Sequence, residues 1–253
     1  MAVQLFDTEA YPAHLTDQTR LELATEILEK ELTKQGWARH DASRSRSLLD
    51  FWDSFHAIMG TWLLKAGLVR MLTASNWRWE KQTVSVHEIQ LTAFLEQLRQ
   101  LPGVDKEALT IPKLTVLMQD PKVRAEQNRI VSSFSQDETQ NTYRIVAVKK
   151  DGLYHVMDGN RRSLYAFLQG RPELDAWVAF TDDQPARDFW IPIDHMMQIV
   201  DESRRHPEQR SAYRQVVANW FAASKTARIA FDRRILGMKG AEALLPENLP
   251  KQP

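Results

Sequence analysis

Five consecutive residues, Asp158-Gly159-Asn160-Arg161-Arg162, combine a carboxylate, a glycine, an amide and two guanidinium groups where the pattern changes from strand to helix. The first N–H groups of a helix lack intrahelical partners and, together with the helix dipole, favour an anion. Gly159 permits a tight turn and close approach of a ligand to the main chain. Two arginines in a first helical turn oppose the dipole by about 0.3–1 kcal/mol each at an exposed site, a sign that a bound phosphate reverses. Guanidinium forks also match phosphate oxygens in geometry. The same residues admit a second reading, in which Arg161 and Arg162 pair with carboxylates such as Asp158 or Asp175.

Asp158 beside this turn and Glu126 on a preceding helix are the carboxylates that would hold Mg²⁺ or orient a nucleophile. The seven histidines are scattered without HExxH or His-x-His spacing, which argues against a zinc site. Asp194-His195 follows Pro192 near a helix start, where Asp194 would serve as a cap and the pair has the residue types for proton transfer. There is no Gly-x-Ser-x-Gly elbow and no Walker lysine, so a hydrolase triad and P-loop chemistry lack support. The chain has no cysteine, which excludes disulfides, Cys-ligated metals and thiol mechanisms. Residues 203–239 carry nine basic groups against two acidic ones. That excess fits either a nucleic-acid surface, with Arg204, Arg205, Arg233 and Arg234 as contacts, or a solvated helical face.

The elements that must position these residues follow from hydrophobic spacing. From Asp17, a possible cap, Leu21, Leu23, Ala24, Ile27, Leu28 and Leu32 fall at helical intervals. A second helix starts after Ser47 and is apolar on most sides from Leu48 to Leu64, the mark of a central core helix or a dimer surface. A third helix is expected over Val86 to Leu101, ending at Pro102-Gly103. Ile111 to Leu117 reads as a strand, and Asp120-Pro121 opens a helix running to about Phe134. Tyr143 to Val148 and Leu153 to Met157 form a hairpin about Lys150-Asp151-Gly152. A short helix ending at Gly170 follows the arginine pair, then a strand over Leu174–Phe180. Helices are expected over 193–204, 208–221 and 225–237. Small residues at Val217–Ser224 suit a tight helix crossing, but Arg228 occupies a core position of a helix-turn-helix and Trp220-Phe221 crowd its turn.

In motif and element order, IPKLTVLMQDPKVRAEQNRIVSSF, TYRIVAVKKDGLYHVMDGNRRSLYAFLQG and LDAWVAF together resemble the ParB/sulfiredoxin superfamily over residues 111–181. Gly-Asn-Arg-Arg matches the partition-protein form of that superfamily's Gly-x-Arg-Arg box. By resemblance, Gly159, Asn160, Arg161 and Arg162 surround a nucleoside triphosphate, ATP or CTP with Mg²⁺. Arg124, in a stretch similar to the Asn-Pro-x-x-Pro-Arg of partition proteins but shorter and starting with Asp120, would join them. Sulfiredoxins carry a cysteine where Asn160 stands, so sulfinic-acid reduction is excluded. The resemblance implies nucleotide hydrolysis or metal-assisted phosphate chemistry coupled to DNA in a plasmid, phage or mobile-element setting. A free-serine-type kinase, which the superfamily also contains, and a non-enzymatic DNA-binding or interaction protein are the alternatives.

The 253 residues, 43% hydrophobic and 26% charged, suffice for one large or two small domains. Lys plus Arg and Asp plus Glu are both 33, which excludes a protein that coats nucleic acid through bulk charge. No stretch approaches the ~20 apolar residues of a membrane span, and no signal pattern is seen at the N-terminus, so a cytoplasmic protein is expected. The expectation is therefore an α+β protein: a helical region over 1–110, a small mixed-sheet core over 111–181 and a second helical region over 182–253. Its expected partners are a nucleoside triphosphate, DNA and a second copy of the chain, with no membrane.

Overall fold

The computed structural model describes residues 12–36, 48–63, 65–91, 109–132, 143–184, 188 and 190–246. Helix α1 (Ala13–Thr16) leads into α2 (Gln18–Lys34), which starts where the Asp17 side chain accepts a hydrogen bond from Arg20 N at 3.0 Å. The apolar side chains of α2 at helical spacing are the buried ones, Leu21, Leu23, Ala24, Ile27, Leu28 and Leu32. Helix α3 (Leu48–Phe55) continues as a π-helical turn, His56–Trp62, before α4 (Ala66–Thr73). Phe51, Trp52 and Phe55 are fully buried, with edge-on ring contacts of 5.2 and 5.7 Å about Trp52. Arg20 is buried as well, donating to the carbonyls of Leu72, Ala74 and Trp77 and so closing the C-terminal end of α4.

The sheet follows: β1 (Trp77–Ser85), a 3₁₀ turn, β2 (Ile89–Leu91), β3 (Leu109–Thr110), α5 (Ile111–Leu117), α6 (Pro121–Ser132), β4 (Ile145–Lys150), β5 (Leu153–Asp158), α7 (Asn160–Leu168) and β6 (Glu173–Thr181). Six strands lie in the order β1-β6-β4-β5-β2-β3. The pairs β4/β5 and β2/β3 are antiparallel, whereas β4/β6 and β2/β5 are parallel. The chain is thus α+β with a mixed sheet. Asp151 and Gly152, at φ 50° and 78°, make the two-residue hairpin turn of β4/β5. Helix α7 then carries the chain past β4, from β5 on one side to β6 on the other. The core of this unit gathers Val84, Ile89, Leu91, Ile111, Leu114, Ile145, Val156, Leu164 and Val178.

After β6 come α8 (Ile193–Arg205), α9 (Arg210–Ala223) and α10 (Lys225–Ala230), the last running on as a π turn, Phe231–Ile235. The chain divides into two compact units, residues 78–181 and residues 1–77 with 182–253. No described helix is long and apolar enough to cross a membrane.

Three expectations are corrected. The Ile111–Leu117 segment is a helix, not a strand: Thr110 caps it, Pro112 sits in its first turn, and Ile111 and Leu114, three apart, are its buried residues. Of the helix expected over Val86–Leu101, residues 86–91 form a 3₁₀ turn and β2, while 92–101 lie outside the described residues. The unit boundary falls after Trp77, not after residue 110, because β1, β2 and β3 belong to the sheet. The Ser47 cap lies outside the described residues.

Candidate functional site

The turn around Gly159 is built by a register slip. Along β4 and β5, Ala147 faces Val156 but Val146 faces Asp158, so Met157 is an extra residue, a β-bulge. The bulge leaves Met157 44% exposed and sets Asp158 at the strand end. Gly159 then takes φ +100° and becomes the N-cap of α7, with no side chain capping the helix. A Cβ here would lie 2.7 Å from Ile145 Cγ2 and 2.9 Å from Arg162 Nη2, so glycine is required by conformation and by space.

The four residues after this glycine divide in role. Asn160 is buried, its Nδ2 donating to Val156 O at 3.5 Å, and Ser163 Oγ donates to Gly159 O at 3.1 Å. Arg162 turns inward, 10% exposed, donating to the carbonyls of Tyr143 and Arg144 and to Asp158 Oδ2 at 3.1 Å. It ties the start of β4 to the end of β5. Arg161 points outward and is exposed. Of the two arginines, Arg162 thus follows the ion-pair reading, with Asp158 as its partner; Asp175 instead accepts a hydrogen bond from Thr83 Oγ1 at 3.1 Å.

The other site residues lie on separate elements. Arg124 is exposed on α6 and its Nε donates to Met118 O at 3.1 Å. Glu126 is paired with Arg129 one turn on, Nη2 to Oε1 at 2.6 Å, and that hydrogen bond holds its carboxyl below the usual range. Asp158 and Glu126 are therefore each engaged by an arginine. Among the described residues no three His, Asp or Glu side chains converge as metal ligands. Helix α6 packs against α7, and on its buried face Gln127 is fully enclosed with neither amide atom hydrogen-bonded.

Compared with known protein families, curated proteins and solved structures, the chain matches none. The likeness to the ParB/sulfiredoxin superfamily therefore rests on residues 111–181 themselves.

In the helical unit, much of the basic run is internally balanced. Arg204 pairs with Asp201 at 3.3 Å, Arg205 with Glu202 at 3.1 Å and Arg228 with Asp232 at 2.6 Å. Arg234 turns to Asp50 and Asp53, and Arg233 also has an interaction partner. Helices α9 and α10 meet at one non-helical residue, Ser224, whose hydroxyl caps α10 by accepting from Ala227 N at 3.0 Å. A helix-turn-helix uses a turn of about three or four residues, which this junction lacks.

Sequence reasoning missed a second cluster, in the helical unit. Asp53 and His56 line a cavity of about 210 Å³ together with Pro192 and Asp194. The rings of His56 and His195 are 6.3 Å apart, edge to face. The available signal was the three-residue spacing Asp50, Asp53, His56, which places all three on one helical face. Asp194 does not cap α8; the N-cap is Pro192.

Proposed function

We propose that residues 78–181 form a nucleotide-binding module of ParB/sulfiredoxin type, in which the Asp158–Arg162 turn receives the phosphates of ATP or CTP. The observation that carries this reading is a left-handed glycine opening a nine-residue helix that has no side-chain cap. Such a helix start offers its dipole and backbone donors to an anion. Arg161, outward beside it, supplies the guanidinium, and Arg162 with Asp158 holds the turn in shape. Gly159 admits the ligand to the backbone, Asn160 fixes the first helical turn, and Arg124 would join from the helix that packs against α7. Magnesium would arrive on the nucleotide's phosphates. Hydrolysis linked to DNA follows from the resemblance, as does the rival transfer of phosphate to a free amino acid. The nucleotide reading is preferred to a pure nucleic-acid clamp because Arg204, Arg205 and Arg234 each have carboxylate partners.

Thermal unfolding with ATP, CTP, GTP or ADP, each with and without Mg²⁺, tests the reading. A nucleotide at 100 times its Kd adds about 2.7 kcal/mol of stability to the wild type. Arg161→Ala is expected to lose most of that increment while keeping its ligand-free stability. The reading fails where no nucleotide stabilises the wild type, or where Arg161→Ala responds to the same extent. Product release measured with and without DNA or added amino acids then separates DNA-linked hydrolysis from the kinase alternative.

A further inference from the structure

Helix α6 is tied to the rest of the sheet unit at its first turn. Asp120 Oδ1 accepts from Lys122 N at 2.8 Å, and Arg124 Nε donates to Met118 O at 3.1 Å, which fixes the start of α6 to the end of α5. Beyond that turn the described polar side chains of α6 bond only within the helix, Arg129 to Glu126 and Ser132 Oγ to Arg129 O at 2.8 Å. Its buried side chains among those described are Val123 and Gln127, four residues apart on one face. Gln127 is 0% exposed, and neither its Nε2 nor its Oε1 has a hydrogen-bond partner. The buried polar side chains of α7, the helix against which α6 packs, are turned elsewhere: Asn160 Nδ2 donates to Val156 O and Ser163 Oγ to Gly159 O. An amide has two N–H donors and a carbonyl acceptor, all satisfied in water. Seating α6 therefore strips Gln127 of its hydrogen bonds without replacement, a penalty that an apolar side chain of the same shape would not incur.

We propose that α6 is a hinged arm that leaves its seat on α7 well before the sheet unfolds, with the unmet amide of Gln127 as the group that keeps the seat shallow. The hinge is the turn at residues 118–120, where the chain passes from α5 to α6 and the Arg124 tie holds. Once the arm lifts, water reaches the amide and the penalty disappears. Local opening of this kind belongs to segments with few buried apolar side chains and few tertiary hydrogen bonds, and α6 has both properties among its described residues. The consequence for the site rests on the nucleotide reading above. Arg124 lies on the arm and Gly159 opens the helix beneath it, so a nucleotide that engages both bridges α6 and α7 and favours the seated arm.

The test is amide hydrogen exchange of the full chain, resolved over α6, α7, β4 and β5. Without ligand, α6 beyond its first turn is expected to exchange at least about tenfold faster than the two strands after correction for intrinsic rates. Gln127→Met keeps the length and unbranched shape of the side chain and nearly the same helix propensity, but removes its donors and acceptor. It should slow exchange in α6 about tenfold and leave β4 and β5 unchanged. Gln127→Glu, which puts a charge in the seat, should speed exchange in α6 alone. Unchanged or faster exchange of α6 in Gln127→Met would overturn the proposal, because the amide would then be satisfied in the folded chain, as by a buried water. Wild-type α6 exchanging no faster than the strands would overturn it too. ATP or CTP with Mg²⁺ should slow α6 further in the wild type and not in Arg124→Ala. Protection of the first turn of α7 without protection of α6 would refute the coupling of arm to site. Protection of neither by any nucleotide would refute the nucleotide reading instead, and the ligand-free comparison would still decide on the arm.

Discussion

Replacing Gly159 by alanine isolates the demand that the bulged turn places on one atom. At φ +100° an L-residue pays about 1–2 kcal/mol in backbone strain. The new methyl would also sit 2.7 Å from Ile145 Cγ2 and 3.0 Å from Ile145 Cβ, inside a packed core where overfilling costs about 1–3 kcal/mol. It would meet Arg162 Nη2 at 2.9 Å as well, and that guanidinium is anchored to two carbonyls and to Asp158. Together these terms predict a loss of about 2–5 kcal/mol. Gly152→Ala is the matched control, since its φ of 78° carries the strain but nothing lies within 4 Å of the added carbon. Amide hydrogen exchange across β4 and β5 reads the opening free energy of this unit directly. The Gly159 variant should lose about 1–3 kcal/mol more protection than the Gly152 variant. Equal losses in the two, or a gain for Gly159→Ala, would refute the packing argument.

Three further outcomes are expected. Arg162→Ala removes a part-buried ion pair with Asp158 and its hydrogen bonds to two carbonyls, costing about 1.5–3 kcal/mol in urea unfolding, while exposed Arg161→Ala stays within about 0.5 kcal/mol; equal effects would show that the two arginines do not differ in role. Arg20→Met leaves the carbonyls of Leu72, Ala74 and Trp77 without their buried donor, and a loss above about 2 kcal/mol with faster exchange in α4 is expected in thermal and exchange measurements. His14 is held down to about 4 by burial and by Arg20, so the unfolded chain gains its proton first and stability falls as pH drops from about 6.5 to 4. Asp53, raised to about 7, acts oppositely: the folded state keeps its proton longer, and stability falls as pH rises from about 4 to 7. Urea midpoints across that range should fall more steeply towards acid in Asp53→Asn, and in His14→Gln, where the Asp53 effect is left unopposed, rise towards acid.

Much of the fold is legible wherever one local rule acts alone. The Asp17 cap, the Asp151-Gly152 hairpin, the Gly159 turn and the α8–α10 series all follow from spacing and turn chemistry. The failures have physical causes. Ile111–Leu117 has β-branched residues, yet Thr110 and Pro112 start a helix there and exposed Val116 shows that alternation was never in force. Strand β2 is three residues long, too short for its pattern to stand out beside the helix-like spacing around it. At the site, glycine and arginine chemistry can be read from the chain, but the inward turn of Arg162 depends on carbonyls of Tyr143 and Arg144, nearly twenty residues away. The Asp53 cavity needs Asp194 and Arg234 brought from the far end of the sequence, which no local window contains.

Because one unit is interrupted by the whole of the other, the order of synthesis is not the order of completion. Helix α3 and the turn after it emerge from the ribosome with Asp50, Asp53 and His56, whose partners Arg234 and His195 are encoded after residue 181, in the same compact unit. The intervening segment takes on the order of ten seconds to translate at roughly 5–20 residues per second. During that interval the sheet unit, whose residues 78–181 are contiguous, can finish while the first helices still wait for the rest of their own unit.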